Sequence, residues 1–230
     1  MSKKHSYGLN WIDQDELYLV TQHVFKNVIK KAKEAELQAS PDPFTIMSQA
    51  VLFDQCSDSM LEFERIRSIN KSISNAIGRW HQSVLGLAEG WENLGNRGVV
   101  DLMVTEPGSG RRIAVEVKNR YNTIKASNEK GVWDELERLA RVNRSKSYLV
   151  QIVPKTPERY DRPWKVSDRR ARESVRCCDG ATAYTWAFGV ENALEELYRA
   201  FPQILVDVIG GSKFNDKGFF AFYWMSMPTA

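Results

Sequence analysis

The chain has 230 residues, 43 % apolar and 27 % charged, enough for one well-buried domain, and no apolar run approaches the roughly 18 residues that cross a bilayer. Its three cysteines, Cys56, Cys177 and Cys178, lack CxxC spacing, which argues against a zinc site or disulfide scaffold and for a reducing, cytoplasmic setting. Net charge is only +3, yet residues 111–176 hold 18 Lys/Arg against 9 Asp/Glu while the remainder holds 14 against 20. This asymmetry fits a side that faces a polyanion, and equally a set of solvated basic helix faces. Met1-Ser2-Lys3-Lys4-His5 lacks the apolar region of a secretory signal, so none is expected.

In chain order, residues 11–39 read as an amphipathic helix, with Asp13 or Asp15 as cap and Leu17, Val20, Val24 and Val28 at helical spacing. Ser40-Pro41-Asp42-Pro43 ends it, and residues 44–53 read as a shorter apolar helix. From about Ser59 to Ala88, Leu61, Ile66, Ile69, Ile73, Ile77, Trp80 and Val84 recur at helical steps, predicting a long helix with one buried stripe. His81 on that helix reads as a satisfied polar residue rather than a base. Gly90–Gly98 is expected as a loop. Two β-branched runs, residues 99–104 and 113–118, flank Glu106-Pro107-Gly108-Ser109-Gly110 and predict a β-hairpin. A polar loop over 119–128, a helix over 129–142 and a strand over 146–153 follow. Residues 155–176 read as a basic loop with Arg169, Arg170, Arg172 and Arg176, then a strand over 183–188 and a helix over 190–201 that Pro202 breaks. Residues 219–224 are predicted as a final strand. The expected class is α/β, a central mixed sheet flanked by helices, with a helical N-terminal region. A single domain is expected over 1–230: helical region 1–58, core 59–205 and C-terminal strand 206–230.

The chemistry concentrates on the hairpin. Side chains alternate along a strand, so Val115 and Val117 share one face while Glu116 and Lys118 share the other. Asp101 interrupts the preceding apolar strand, where an unpaired carboxylate is costly. Asp101 and Glu116, with the carbonyl of Val117 as a third oxygen, suit a Mg²⁺ ion that keeps several waters. A protonated Lys118 cannot ligate, but it can orient an attacking water or stabilise a charged transition state. The loop that follows carries Asn119, Asn122, Thr123, Lys125, Ser127 and Asn128, side chains suited to phosphate and base-edge contacts, or simply to a solvated loop.

Asp101 followed after 14 residues by Glu116-Val117-Lys118 resembles the PD-(D/E)XK nuclease superfamily, although Val100 stands where its name places proline. More narrowly, Pro41–Phe44, Asn75–Gln82, Val115–Thr123 and Gly180–Phe201 are similar to type II restriction endonucleases that recognise GGNCC. The similarity spans roughly residues 40–205. The resemblance implies a restriction-endonuclease-like core and Mg²⁺-dependent cleavage of double-stranded DNA by a homodimer. It also implies a cognate DNA methyltransferase that acts on the same site without stable binding. Superfamily members add a glutamate from the helix before the hairpin, for which Glu64 is the first choice and Glu62 the second. Two other readings stay open: a repair or structure-specific nuclease on the same core, and a DNA-binding module without catalysis.

Overall fold

A computed structural model describes residues 4–33, 42–211, 214–215 and 218–228. Helix α1 (Gln14–Lys33) starts at Asp13, whose Oδ1 accepts the amides of Asp15 and Glu16 at 2.9 and 3.0 Å. Asp15 instead takes the His5 ring. The rest of the expected first helix, 34–39, and Ser40-Pro41 lie outside the described residues. Helix α2 (Pro43–Phe53) is capped by Asp42 and closed by Asp54 at φ 51°. Helix α3 is long, Ser57–Leu85.

Strands β1 (Trp91–Asn93), β2 (Leu102–Thr105), β3 (Arg112–Arg120), β4 (Ser147–Val153), β5 (Asp161–Pro163) and β6 (Val175–Asp179) form one sheet in the order β1-β2-β3-β4-β6-β5. The predicted hairpin is present as antiparallel β2–β3, while β3–β4 and β4–β6 run parallel, so the sheet is mixed. Helices α1, α3, α5 (Gly180–Phe188) and α6 (Ala193–Ile209) contribute to the larger core against one face. Helix α4 (Ala126–Val142) covers the other through Trp133 and Leu136.

Several expectations need correction. Residues 183–188 form helix α5, not a strand; the strand lies earlier, in β6, which begins at the end of the run read as a basic loop, and β5 lies within that run. Asp179 caps α5 by accepting the Thr182 amide at 3.0 Å. A Cβ at Gly180 would stand 2.5 Å from the Ile152 carbonyl oxygen, so only glycine lets the helix spring directly from the strand. Pro202 lies inside α6 without ending it, because Leu197 and Ile204 on either side are fully buried and hold the helix to the core. The C-terminal aromatic run forms helix α7 (Phe220–Ser226), not a strand, with Tyr223 buried against Tyr198. The stripe on α3 is buried at Trp80 and Val84 but bare at Leu61, Ile66 and Ile73. Strands β3 and β1 meet the helix around Gly78 and Gly86, and its N-terminal half runs past the sheet. No described helix is long and apolar enough to cross a membrane.

Candidate active site

The alternation along β3 sets the site. Val115 and Val117 enter the core under α3, whereas Ala114 enters the core under α4, so Glu116 and Lys118 point to the α4 side. Leu102 is the last β2 residue in register, opposite Val115. Asp101 therefore stands one step past the ladder, beside Glu116. Its backbone carbonyl accepts the Leu94 amide at 3.0 Å, and its Oδ2 accepts the Val117 amide at 2.8 Å. A carboxylate thus occupies the place that a strand carbonyl would take. The Val117 carbonyl leaves the strand on the same edge as its amide, toward Asp101.

Lys118 donates to Glu116, and both side chains are mostly buried, at 25 % and 15 % exposure. Burial pushes the Asp101 carboxyl above its ordinary range; the Val117 amide, Lys118, Glu116 and Gln82 act in the opposite direction. Burial also raises Glu116, the Asp101 charge adds to it, and Lys118 offsets it. Two adjacent carboxylates with one ammonium leave a deficit of positive charge in a half-buried place. Glu116 opens onto a cleft of about 170 Å³ between Val99-Val100 and α4, where Gly131 lacks a side chain and Glu135 stands opposite, tied to Arg138 at 2.5 Å.

The donor set suits a hard divalent cation with retained waters: two carboxylates and a backbone carbonyl, whose shared charge deficit a cation would relieve. Among the described residues, no group of three or more His, Cys, Asp or Glu could hold a metal, so a third acidic ligand is not supplied.

Of the expected residues, Asp101, Glu116, Val117 and Lys118 are brought together. Glu64 is not. It lies 18 residues before Gln82 on one continuous helix, about 27 Å along its axis, and is held by Arg67 at 2.7–2.9 Å. Glu62 pairs with Arg65 at 3.0 Å. Gln82, on α3, is the helix side chain that acts on the Asp101 carboxyl, lowering its pKa slightly against the effect of burial. The signal was the spacing Ser72, Asn75, Arg79, Gln82, one polar stripe up the helix. Lower on that stripe, Ser72, Asn75 and Arg79 line a groove of about 380 Å³ with Asn27, Lys30 and Lys31 of α1. Lys31 is anchored there to the Ser72 hydroxyl at 3.0 Å.

Asn119 points away from the face that carries Glu116 and Lys118, toward Gly78 of α3 and an apolar cavity that includes His81. Asn122, Thr123, Lys125, Ser127 and Asn128 are exposed where β3 passes into α4. Thr123 Oγ1 closes the turn, donating to the Arg120 carbonyl at 2.8 Å and accepting its amide at 3.2 Å. The basic run is largely spent inside the chain: Arg169 pairs with Asp134, Arg172 with Glu137, and Arg176 with Asp161 and Glu173. His81 is buried, 2.8 Å from the Tyr184 hydroxyl, and burial lowers its pKa to about 3. It is a neutral structural group, as its place on the helix suggested.

Residues 9–210 match the Eco47II restriction endonuclease family. Over 225 residues the chain is 30 % identical to the type II restriction enzyme Eco47II of Escherichia coli, with 92 % of each chain covered. The chain belongs to the Eco47II restriction endonuclease family.

Proposed function

We propose that this member of the family, a site-specific deoxyribonuclease of the type II restriction class, works with Mg²⁺ and cuts double-stranded DNA at a short GGNCC-like sequence. The hydrolytic centre in this reading is Asp101, Glu116 and Lys118, within one nuclease domain spanning residues 1–230. The observation that carries it is the clamp of Asp101 on the Val117 amide at 2.8 Å, which brings both carboxylates and the lysine to one point of the sheet. The resemblance of residues 115–123 and 75–82 to GGNCC-specific enzymes supports the sequence class.

Mg²⁺ held by Asp101, Glu116 and the Val117 carbonyl would act as Lewis acid and lower the pKa of a bound water. The chain does the rest. The Val117 amide fixes the Asp101 carboxylate, so little reorganisation is needed when substrate arrives. Lys118 donates to Glu116, and its ammonium would face the scissile phosphate and orient the attacking water. Asn122, Lys125, Ser127 and Asn128 stand exposed after the catalytic strand, ready to meet the duplex, with Thr123 holding their turn. A homodimer would place one such centre on each strand. A cognate methyltransferase acting on the same site, without stable binding, would protect the host's DNA in the cytoplasm.

Digestion of plasmid and phage DNA with purified protein and Mg²⁺, followed by run-off sequencing of the ends, tests this. Discrete bands ending at one GGNCC-like sequence are expected, and cytosine methylation of that sequence should block them. A smear of random ends overturns the proposed GGNCC-like specificity. No cutting with Mg²⁺ or Mn²⁺ overturns the assigned centre.

A further inference from the structure

Helix α2 is built in a way that water alone does not support. Pro43–Phe53 contains no charged residue, and none of its residues is buried. Phe44, Val51 and Leu52 are 83, 74 and 78 % exposed, and Met47 lies between them on the same helix. An isolated helix of this length is marginal and draws its stability from packing an apolar face. Its described packing partner is the first half of α3, where Phe53 meets Phe63.

The first half of α3 repeats the anomaly. Phe63, Ile66 and Ile73 continue the spacing of Ile77, Trp80 and Val84, the residues that form core farther along. The core pattern therefore extends about 20 Å beyond the sheet that would cover it, and Phe63 and Ile66 remain exposed. Phe44, Met47, Val51, Leu52, Phe63 and Ile66 together expose roughly 750 Å² per copy, close to the ~800 Å² per partner of a stable interface.

We infer that the arm formed by α2 and the first half of α3 is the surface on which a second copy of this chain packs. The inference rests on the nuclease reading in one respect: each chain carries one Asp101–Glu116–Lys118 centre, and cutting both strands calls for two. Charge excludes the other occupants. A DNA backbone needs free cations, whereas α2 has no charged residue and Arg65 and Arg67 on the first half of α3 are paired with Glu62 and Glu64. A membrane surface favours a helix rimmed by Lys and Arg, whereas α2 is bracketed by Asp42 and Asp54, with Asp58 just beyond. A neutral apolar patch is compatible with itself across a two-fold axis, with no like charges brought face to face.

The test is sedimentation velocity and equilibrium on the full chain, without DNA. Wild type should be a dimer at micromolar concentration. Val51→Glu with Leu52→Glu should raise the dimer dissociation constant at least 100-fold, and so should Val51→Lys with Leu52→Lys. Mixing the two doubly substituted proteins should restore a heterodimer, which a merely damaged fold would not do. Circular dichroism should show an unchanged main melting transition, since both side chains are exposed in the single chain. A wild type that stays monomeric at tens of micromolar overturns the inference, whether or not it floats with anionic vesicles, and so does a Glu variant that remains dimeric. The nuclease reading is judged separately. If the variants dissociate as expected and wild type cuts nothing, that reading fails while the interface stands.

Discussion

Replacing Asp101 by Asn removes one negative charge while leaving an oxygen able to accept the Val117 amide, now 2.8 Å from Oδ2. The folded state holds this carboxyl above its ordinary pKa because burial outweighs the amide and Lys118. A carboxyl raised on folding contributes stability that is fully present below its unfolded pKa of about 3.9 and is lost as pH rises through the folded value. At pH 7 the wild-type charge therefore opposes folding, and Asp101→Asn should leave stability unchanged or raise it by about 1 kcal/mol, some 2–4 °C in Tm for a chain of this size. Divalent cation should act oppositely on the two proteins. At 100-fold excess over its Kd, Mg²⁺ should stabilise wild type by about 2.7 kcal/mol, roughly 5–10 °C, and leave the variant within 1 °C. Scanning fluorimetry in EDTA and in a Mg²⁺ series, from pH 4 to 8, reads both effects. A variant that melts several degrees lower in EDTA, yet keeps the full Mg²⁺ shift, would refute the assignment of Asp101 as a strained ligand.

Lys118→Met should lower plasmid cutting at least 10³-fold, about 4 kcal/mol of transition-state stabilisation, while a gel-shift assay in Ca²⁺ shows DNA binding within a fewfold of wild type. Arg79 lines the α1–α3 groove with Lys30 and Lys31, a second basic surface proposed to meet DNA. Arg79→Ala should weaken binding to cognate and random duplexes alike and reduce the slope of log K against log salt by about 0.9, and an unchanged slope rules the groove out as a DNA contact. Glu64→Gln should cut within twofold of wild type, since the side chain serves Arg67 rather than Asp101, and a 100-fold loss would return the helix acid to the site. Asp179→Ala should drop Tm by several degrees, because this fully buried carboxylate accepts the Tyr160 and Thr182 amides and the Thr182 hydroxyl at 2.6–3.0 Å.

The hairpin was legible because two independent codes agree there: alternation in the strands, and a turn whose Gly108 and Gly110 take positive φ. The neighbourhood of Asp101 and Glu116 follows directly from that register. Ala183–Phe188 misled because Tyr, Thr, Trp and Phe favour strands locally, whereas the cap at Asp179 and the tight Gly180 decide for helix. Pro202 misled because the cost of one lost amide is set against buried Leu197 and Ile204, which are distant in sequence from what they touch. The helix acid misled for a geometric reason. Glu64 has the right chemistry, but a rigid helix carries it far from the site, and Gln82 has the right address. Charge counts overstated the basic segment since most of those arginines have acidic partners three to thirty-five residues away.

The seam where Asp101 meets the Val117 amide also makes the chain sensitive to parity. An insertion in the exposed Glu106–Arg111 connection, closed by the Glu106 amide on the Arg111 carbonyl at 2.8 Å, changes only the length of a turn. One extra residue between Arg112 and Glu116 instead shifts the following strand by a single step and exchanges its two sides. Glu116 and Lys118 would then be driven under α3, and Val117 would meet the cleft. Descendants of this chain can therefore vary the turn freely, but the nine residues of β3 can change in kind and not in number. A tag, label or grafted peptide belongs at the turn for the same reason.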